Sequence, residues 1–248
     1  MFSAADFDAT AMGYLPIFVD LKGHDCLVIG GDSLAESRVR ALCEADASVT
    51  VIAPAITVEL MAMADARMIR WIARDYAAED MHGRFMAWVA TMNEAVGRAA
   101  AADARELGVL INVADRPTLC DFITPAVVKR GEVQIAIATG GASPALARRL
   151  REQLEAVVGP EYAEIAELFR NARRWLREHI SDAPERGRVL AKLVGSGVTE
   201  AFRRGDLEEA ERLLQAHLGV DFAELGFTTK SVPASSKASL TPSRAGHA

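Results

Sequence analysis

A chain of 248 residues, 50% hydrophobic and 25% charged, is long enough for one large domain or two modest ones, and this composition excludes disorder of the whole. The net charge of −6 argues against nonspecific nucleic-acid binding, which depends on dense positive charge meeting phosphates. The longest apolar runs, CLVIG and FMAWVA, fall far short of the roughly 20 residues a membrane helix needs, so no membrane partner is expected.

The N-terminal MFSAADFDAT carries two aspartates and no basic cluster ahead of an apolar core. That is the wrong order for a secretory signal, and the expected location is cytoplasmic. IFVDL and CLVIG follow as two expected strands, with a helix near 33–45 behind them. SVTVIA then precedes the helical ITVELMAMADA, MIRWIA leads into FMAWVAT, and a helix near 93–107 precedes VLINVA. Strands separated by helices of this length predict a parallel sheet covered on both faces, a Rossmann-like α/β domain over residues 1–116.

Within that domain VIGGDSLAES, residues 28–37, leaves an apolar strand and opens a helix, as a G-x-G-x-x-G/A dinucleotide turn does. Gly30 and Gly31 are in place and Ala35 supplies the last small residue, but Asp32 stands where the second glycine belongs. Ser33, Leu34, Ala35 and Glu36 read as a capping box with Ser33 as the cap. Asp32 beside it meets the positive end of the helix dipole, the feature that otherwise attracts phosphate. Like charges about 4 Å apart repel by about 1 kcal/mol in bulk water and about 4 kcal/mol at an effective dielectric near 20, so Asp32 is expected to weaken a bound pyrophosphate.

After Asp115 the pattern changes. FITPAVVKRGEVQIAIATGG has two extended runs around a K-R-G-E turn, an antiparallel hairpin. Ser143 and Pro144 then supply an N-cap and a first-turn proline for SPALARRLREQLEAVVG, an amphipathic helix. Helical stretches follow near 160–180, 184–194 and 198–218. In the last of these GDLEEAERLL resembles a tetratricopeptide phrase, but no second copy occurs at a fixed period; Gly205 breaks one helix and Asp206 caps the next. GSG at 195–197 follows a helix and is a loop, and the Ser/Pro/Ala-rich residues 226–248 read as a disordered tail.

Chemistry-bearing side chains are sparse. Cys26, Cys43 and Cys120 lack C-x-x-C spacing and the five histidines lack ligand spacing, so neither a disulfide framework nor a metal site is expected. Asp115 ends VLINVA at the carboxyl edge of the sheet, where open α/β folds place ligands, although D-R-P is also ordinary turn chemistry. Arg170, Arg173, Arg174 and Arg177 form a helical stripe, as Arg148, Arg149 and Arg151 do on the preceding helix. Such stripes are either solvated faces or a cationic surface for a polyacidic ligand. Ile165, Phe169, Ala172 and Leu176 are expected as core.

YLPIFVDLKGHDCLVIGG (14–31), SVTVIAP (48–54), INVAD (111–115) and FITPAVVKRGEVQIAIATGGASPALARRLREQLE (122–155) together resemble the precorrin-2 dehydrogenase/sirohydrochlorin ferrochelatase family, the module of siroheme synthesis. The match covers residues 14–155, and the helical remainder is similar in layout only. The resemblance implies a Rossmann-like NAD-binding domain (1–116), an α+β dimerisation region of hairpin and helix (117–155) and a helical tetrapyrrole-binding domain (156–225). It implies NAD-dependent oxidation of precorrin-2 to sirohydrochlorin in a homodimer, with ferrous iron insertion as a second activity. The length implies a form without a fused methyltransferase.

Carried over residue by residue, Asp115 falls on the family's catalytic aspartate. Gly30, Gly31, Asp32, Ser33, Leu34, Ala53, Pro54 and Thr91 fall on its NAD site, and Thr139, Gly140 and Ser143 on its tetrapyrrole-side turn. Two positions depart from the family pattern: Asp32, and Met92 with Asn93, where an acidic pair follows Thr91 in the family. No acidic residue ends SVTVIAP, so NAD over NADP comes from the resemblance alone. Two rival readings remain: a tetrapyrrole-binding or chelatase-like relative that has lost its nucleotide, and a nucleotide-sensing Rossmann protein.

Overall fold

The computed structural model describes residues 13–229. The expectations for the N-terminal stretch 1–10 and for the tail from residue 230 lie outside the described residues. By contact density the chain divides into two units, one running to Thr124 with Gly140–Ala142, the other formed by Pro125–Thr139 and the residues from Ser143 onward.

The first unit is built on five parallel strands, β1 (Asp25–Ile29), β2 (Ser48–Ile52), β3 (Arg70–Ile72), β4 (Met86–Val89) and β5 (Leu110–Val113), in the spatial order β3-β2-β1-β4-β5. This is the Rossmann-like sheet expected from the alternation of apolar runs and helices. Successive β1 side chains point to opposite faces. Cys26 and Val28 pack with Val49, Val51 and the helix α1 (Ser33–Glu44) through Ala35, Val39 and Leu42. Leu27 and Ile29 pack with Ala87, Val89, Ile111 and α3 (Glu94–Leu107) through Ala100, Ala101 and Ala104. Both faces are covered, which is why the strands read as continuous apolar runs. The short α2 (Val58–Asp65) connects β2 to β3, and a 3-10 turn at Ala78–Met81 replaces a full helix between β3 and β4.

IFVDL does not form the expected strand. Residues 13–21 join no ladder, and Leu15, Ile17 and Phe18 are exposed. The run is apolar, but it pairs with no strand of the sheet, β1 being flanked by β2 and β4, and a strand without a partner leaves its amides to water.

In the second unit, β6 (Ala126–Arg130) and β7 (Val133–Ile137) pair antiparallel around Gly131, whose φ of +58° the tight turn requires. Among the described residues five helices follow: α4 (Pro144–Val157), α5 (Glu161–His179), α6 (Ala183–Val194), α7 (Val198–Arg204) and α8 (Leu207–Leu218). Gly205 ends α7 at φ +73° and Asp206 caps α8, its carboxylate accepting from the Glu209 amide at 3.1 Å. The core gathers Ile165, Leu168, Ala172, Leu193, Phe202 and Leu214, with Phe169 packed against it, and Leu176 is buried too. Phe222 and Phe227 stack edge-on at 5.3 Å and close this core. Packing therefore extends one residue past the start expected for the tail, because Phe227 is an apolar anchor in an otherwise polar stretch.

Candidate functional site

The carboxyl ends of β1, β2 and β4 open into a cleft of about 590 Å³, within the usual range of small-molecule sites. It lies where the strand order reverses between β1 and β4, the position at which open α/β sheets bind ligands. Gly30, Gly31, Asp32, Ala53, Pro54 and Thr91 all line it. Ser33 and Leu34 do not: they sit in the first turn of α1, and Leu34 packs against the cluster beneath.

The glycines are dictated by crowding. Gly30 has φ +131°, and a Cβ there would lie 2.1 Å from the Ala90 carbonyl oxygen. A Cβ on Gly31 would lie 2.1 Å from the Ala55 oxygen. Asp32, rather than Ser33, is the N-cap of α1: its Oδ1 accepts from the Leu34 amide at 2.9 Å and the Ala35 amide at 3.3 Å. The capping box expected at Ser33 does not form: the cap is Asp32, one residue earlier, which holds extended backbone and reaches the second and third helical amides, and the third helical residue, Ala35, has no acceptor to reach back. Asn93 does the same for α3, accepting from Ala95 at 3.1 Å and Val96 at 3.4 Å, while Thr91 Oγ1 accepts from the Asn93 amide. Met92 projects outward, 71% exposed, and is not part of the lining.

Asp75 and Tyr76 also line the cleft and escaped the sequence reading. They follow β3, so extending the rule that strand carboxyl ends face the ligand from β1, β2 and β4 to MIRWIA would have found them. Their loop is well braced. Arg74 holds the buried carboxylate of Asp80 through two hydrogen bonds of 2.7 and 2.6 Å, and the Ala77 amide donates to the same group at 2.9 Å. Burial opposes charge on Asp80, but these partners outweigh it and hold its carboxyl below the usual range. The Tyr76 hydroxyl donates to Asp103 at 2.7 Å, and burial together with that bond pushes its pKa up.

Asp115 sits in the turn after β5 with φ +56°, a left-handed conformation that aspartate tolerates better than most residues. Its side chain is exposed and has no hydrogen-bond or ion-pair partner among the described residues. The surrounding turn is tied down instead. Arg116 pairs with Glu94 at 3.0 Å, Asp121 accepts from the Ile111 amide at 3.0 Å, and Asn112 donates to the Phe122 carbonyl at 2.8 Å. The result is an accessible carboxylate on a fixed backbone at the sheet's carboxyl edge.

In the second unit Thr139 Oγ1 both accepts from the Ser143 amide and donates to its carbonyl, each at 3.1 Å, and Ser143 Oγ caps α4 by accepting from Leu146. Gly140 and Gly141 between them have φ of +60° and +86°. Of the arginine stripe, Arg170 pairs with Glu132, Arg174 donates to Asn171, and Arg173 and Arg177 are exposed. Arg149 and Arg151 pair along their own helix with Glu152 and Glu155. Among the described residues no three His, Cys, Asp or Glu side chains cluster to hold a metal ion. Burial pushes the Cys26 thiol up to about 11, with Asp25 adding to the shift, so it is an inert core group.

A parallel sheet with a glycine-lined cleft at its switch point defines a Rossmann-like protein of the NAD(P)-binding type, extended by a helical unit. Residues 17–126 match a family model described as putative NAD(P)-binding, and residues 130–156 match the sirohaem biosynthesis protein central model. The siroheme synthase of Methylococcus capsulatus is 37% identical over 203 residues, 82% of this chain and 43% of that protein. That of Thioalkalivibrio sulfidiphilus is 35% identical over 217 residues, 87% of this chain and 44% of its own length. The chain thus spans less than half the length of these relatives. The solved structure of SirC, a precorrin-2 dehydrogenase, superposes with a TM-score of 0.72 at 24% identity, covering 84% of this chain and all of that one, a likeness of fold. Over most of its length the chain is thus similar to the part of siroheme synthases that carries these two models, in keeping with the resemblance its motifs bear to the precorrin-2 dehydrogenase/sirohydrochlorin ferrochelatase family.

Proposed function

We propose that this chain oxidises precorrin-2 to sirohydrochlorin with NAD, a step of siroheme biosynthesis. The observation that carries the reading is an accessible, unpartnered Asp115 on the same sheet edge as a glycine-floored cleft, in a chain 37% identical to a siroheme synthase. The cleft fits a dinucleotide in position, at the carboxyl edge where such sheets bind one, with Gly30 and Gly31 in its lining. Ala53, Pro54 and Thr91 are the proposed side walls, and Ser33 and Leu34 contribute through the helix start. Asp32 is the one misfit, a carboxylate already bonded to two amides that an anion would seek.

Desaturating the macrocycle removes a hydride and a proton. A bound nicotinamide supplies the hydride acceptor. Asp115 takes the proton as general base, and its exposure leaves it within reach of a large substrate. The same carboxylate suits removal of pyrrole N–H protons when ferrous iron enters the ring as a substrate. Thr139, Gly140 and Ser143 are the proposed substrate-side turn; the amides of Gly140 and Gly141 make no hydrogen bond among the described residues and are free to meet carboxylates.

The working form in this proposal is a cytoplasmic homodimer; among the described residues no helix is long and apolar enough to cross a membrane. Helix α4 buries only Ala147 and leaves Leu146, Leu150 and Val157 at 51%, 37% and 58% exposure, and a two-stranded hairpin is marginal by itself.

Anaerobic turnover of precorrin-2 tests the reading. The parent chain oxidises it with NAD, and Asp115→Asn, which keeps the left-handed turn, loses about 10²-fold or more at unchanged melting temperature. Full turnover in that variant removes Asp115 from the mechanism. The rival reading, a tetrapyrrole binder without nucleotide, draws its support from the Asp32 cap. It predicts macrocycle binding with no NAD effect on melting, whereas a true ligand stabilises by mass action.

A further inference from the structure

Folds of this type hold the adenosine ribose with an acidic residue near the end of the second strand, about 20 residues after the glycine turn. Here that place is Ala53 and Pro54, neither of which can accept a hydrogen bond from its side chain. The neighbouring strand supplies what is missing. β3 runs parallel to β2 with Ile72 opposite Ile52, and Asp75, three residues past the end of β3, lines the cleft together with Ala53 and Pro54.

The backbone at Asp75 is fixed while its carboxylate is not engaged. Trp71 ties the two strand ends by donating its indole N–H to the Ala53 carbonyl at 3.0 Å. The Arg74 amide donates to the Ile72 carbonyl at 3.0 Å, and Arg74 Nη1 donates to the Asp75 carbonyl at 2.9 Å. The Asp75 side chain is exposed and has no partner among the described residues.

Charge around the cleft points the same way. Its lining includes two carboxylates, Asp32 and Asp75, and no lysine, arginine or histidine. Arg74, the nearest cation in sequence, is committed to Asp80, whose side chain is 6% exposed. Turning its guanidinium toward a second anion would leave that buried carboxylate without its counter-charge.

We infer that Asp75 takes the place of the missing β2 acid, accepting a hydrogen bond from the adenosine ribose and setting the cleft against a dinucleotide that carries a 2′-phosphate. The inference rests on the dinucleotide reading above and names the residue that decides between NAD and NADP.

Isothermal titration of the full chain with NAD⁺ and with NADP⁺ tests it, on the parent, Asp75→Ala and Asp75→Asn. The parent prefers NAD⁺. Asp75→Ala weakens NAD⁺ by about tenfold, the usual cost of losing a hydrogen bond to a charged group. Asp75→Asn, which keeps an acceptor and drops the charge, tightens NADP⁺ by about tenfold and leaves NAD⁺ near the parent value. NAD⁺ binding with the same NAD⁺/NADP⁺ ratio in all three proteins overturns the role of Asp75 and leaves the dinucleotide reading standing. Binding of neither dinucleotide by any of them overturns both.

Discussion

Replacing Asp32 by glycine is the perturbation for which the structure gives the clearest arithmetic. Oδ1 of Asp32 occupies the amides of Leu34 and Ala35, the donors an anion at the start of α1 would use. Glycine at an N-cap costs only a few tenths of a kcal/mol relative to aspartate, so the melting temperature should fall by about 1 °C. Against that stands removal of a repulsion of about 1 kcal/mol in water to about 4 kcal/mol at lower effective dielectric. Asp32 is exposed, which places it toward the watery end, about 1–2 kcal/mol. At about 1.4 kcal/mol per decade, Asp32→Gly should bind NAD⁺ about 5- to 30-fold more tightly than the parent. Titration calorimetry reads this directly, and the parent's deficit should narrow as salt is raised. Asp32→Ser separates causes: it keeps the cap and removes the charge, so a gain equal to that of glycine assigns the effect to charge alone. Affinity in Asp32→Gly equal to or weaker than the parent's would refute the reasoning, because the carboxylate would then not oppose the ligand.

Three further outcomes follow from the geometry. Gly30→Ala places a methyl 2.1 Å from the Ala90 oxygen at a φ of +131°, so it should lower stability by several kcal/mol and raise the yield of insoluble protein; a melting temperature within 2 °C of the parent contradicts the crowding. Asp80→Asn should cost about 1–3 kcal/mol at pH 7, less than a fully buried pair because Arg74 is 44% exposed. Since the folded carboxyl lies below its unfolded value near 4, the stability it contributes is present above about pH 4 and is lost as pH falls through the lower folded value, so the two melting curves should converge in acid. Leu150→Asp on the exposed face of α4 should convert the proposed dimer to a monomer in sedimentation velocity; a parent that already sediments as a monomer, or an unchanged coefficient in the variant, removes α4 from an interface.

The sheet was legible because buried parallel strands are apolar on both faces, and every run from CLVIG to VLINVA falls on a strand. IFVDL carries the same signal without a strand, since pattern reports apolarity and not whether a neighbour is available to pair. The cleft lining was legible at the carboxyl ends of β1, β2 and β4, from Gly30 to Thr91. Asp75 was missed because the same rule was not carried to the short β3, whose parallel pairing with β2 brings the loop after MIRWIA to the same edge. The cap position was off by one residue because serine and aspartate are equally good caps and only the backbone angle at Asp32 decides between them.

The crowding at Gly30 and Gly31 separates two things that a glycine-rich turn is usually taken to report together. Neighbouring carbonyls, from Ala90 and Ala55, forbid side chains there whether or not anything is bound. A descendant that abandoned its nucleotide would therefore keep both glycines for the sake of folding, and would be free to drift at the third place toward side chains that cap α1, as Asp32 does. In this architecture the first two glycines identify the scaffold, and residue 32 records how strongly the ligand is held.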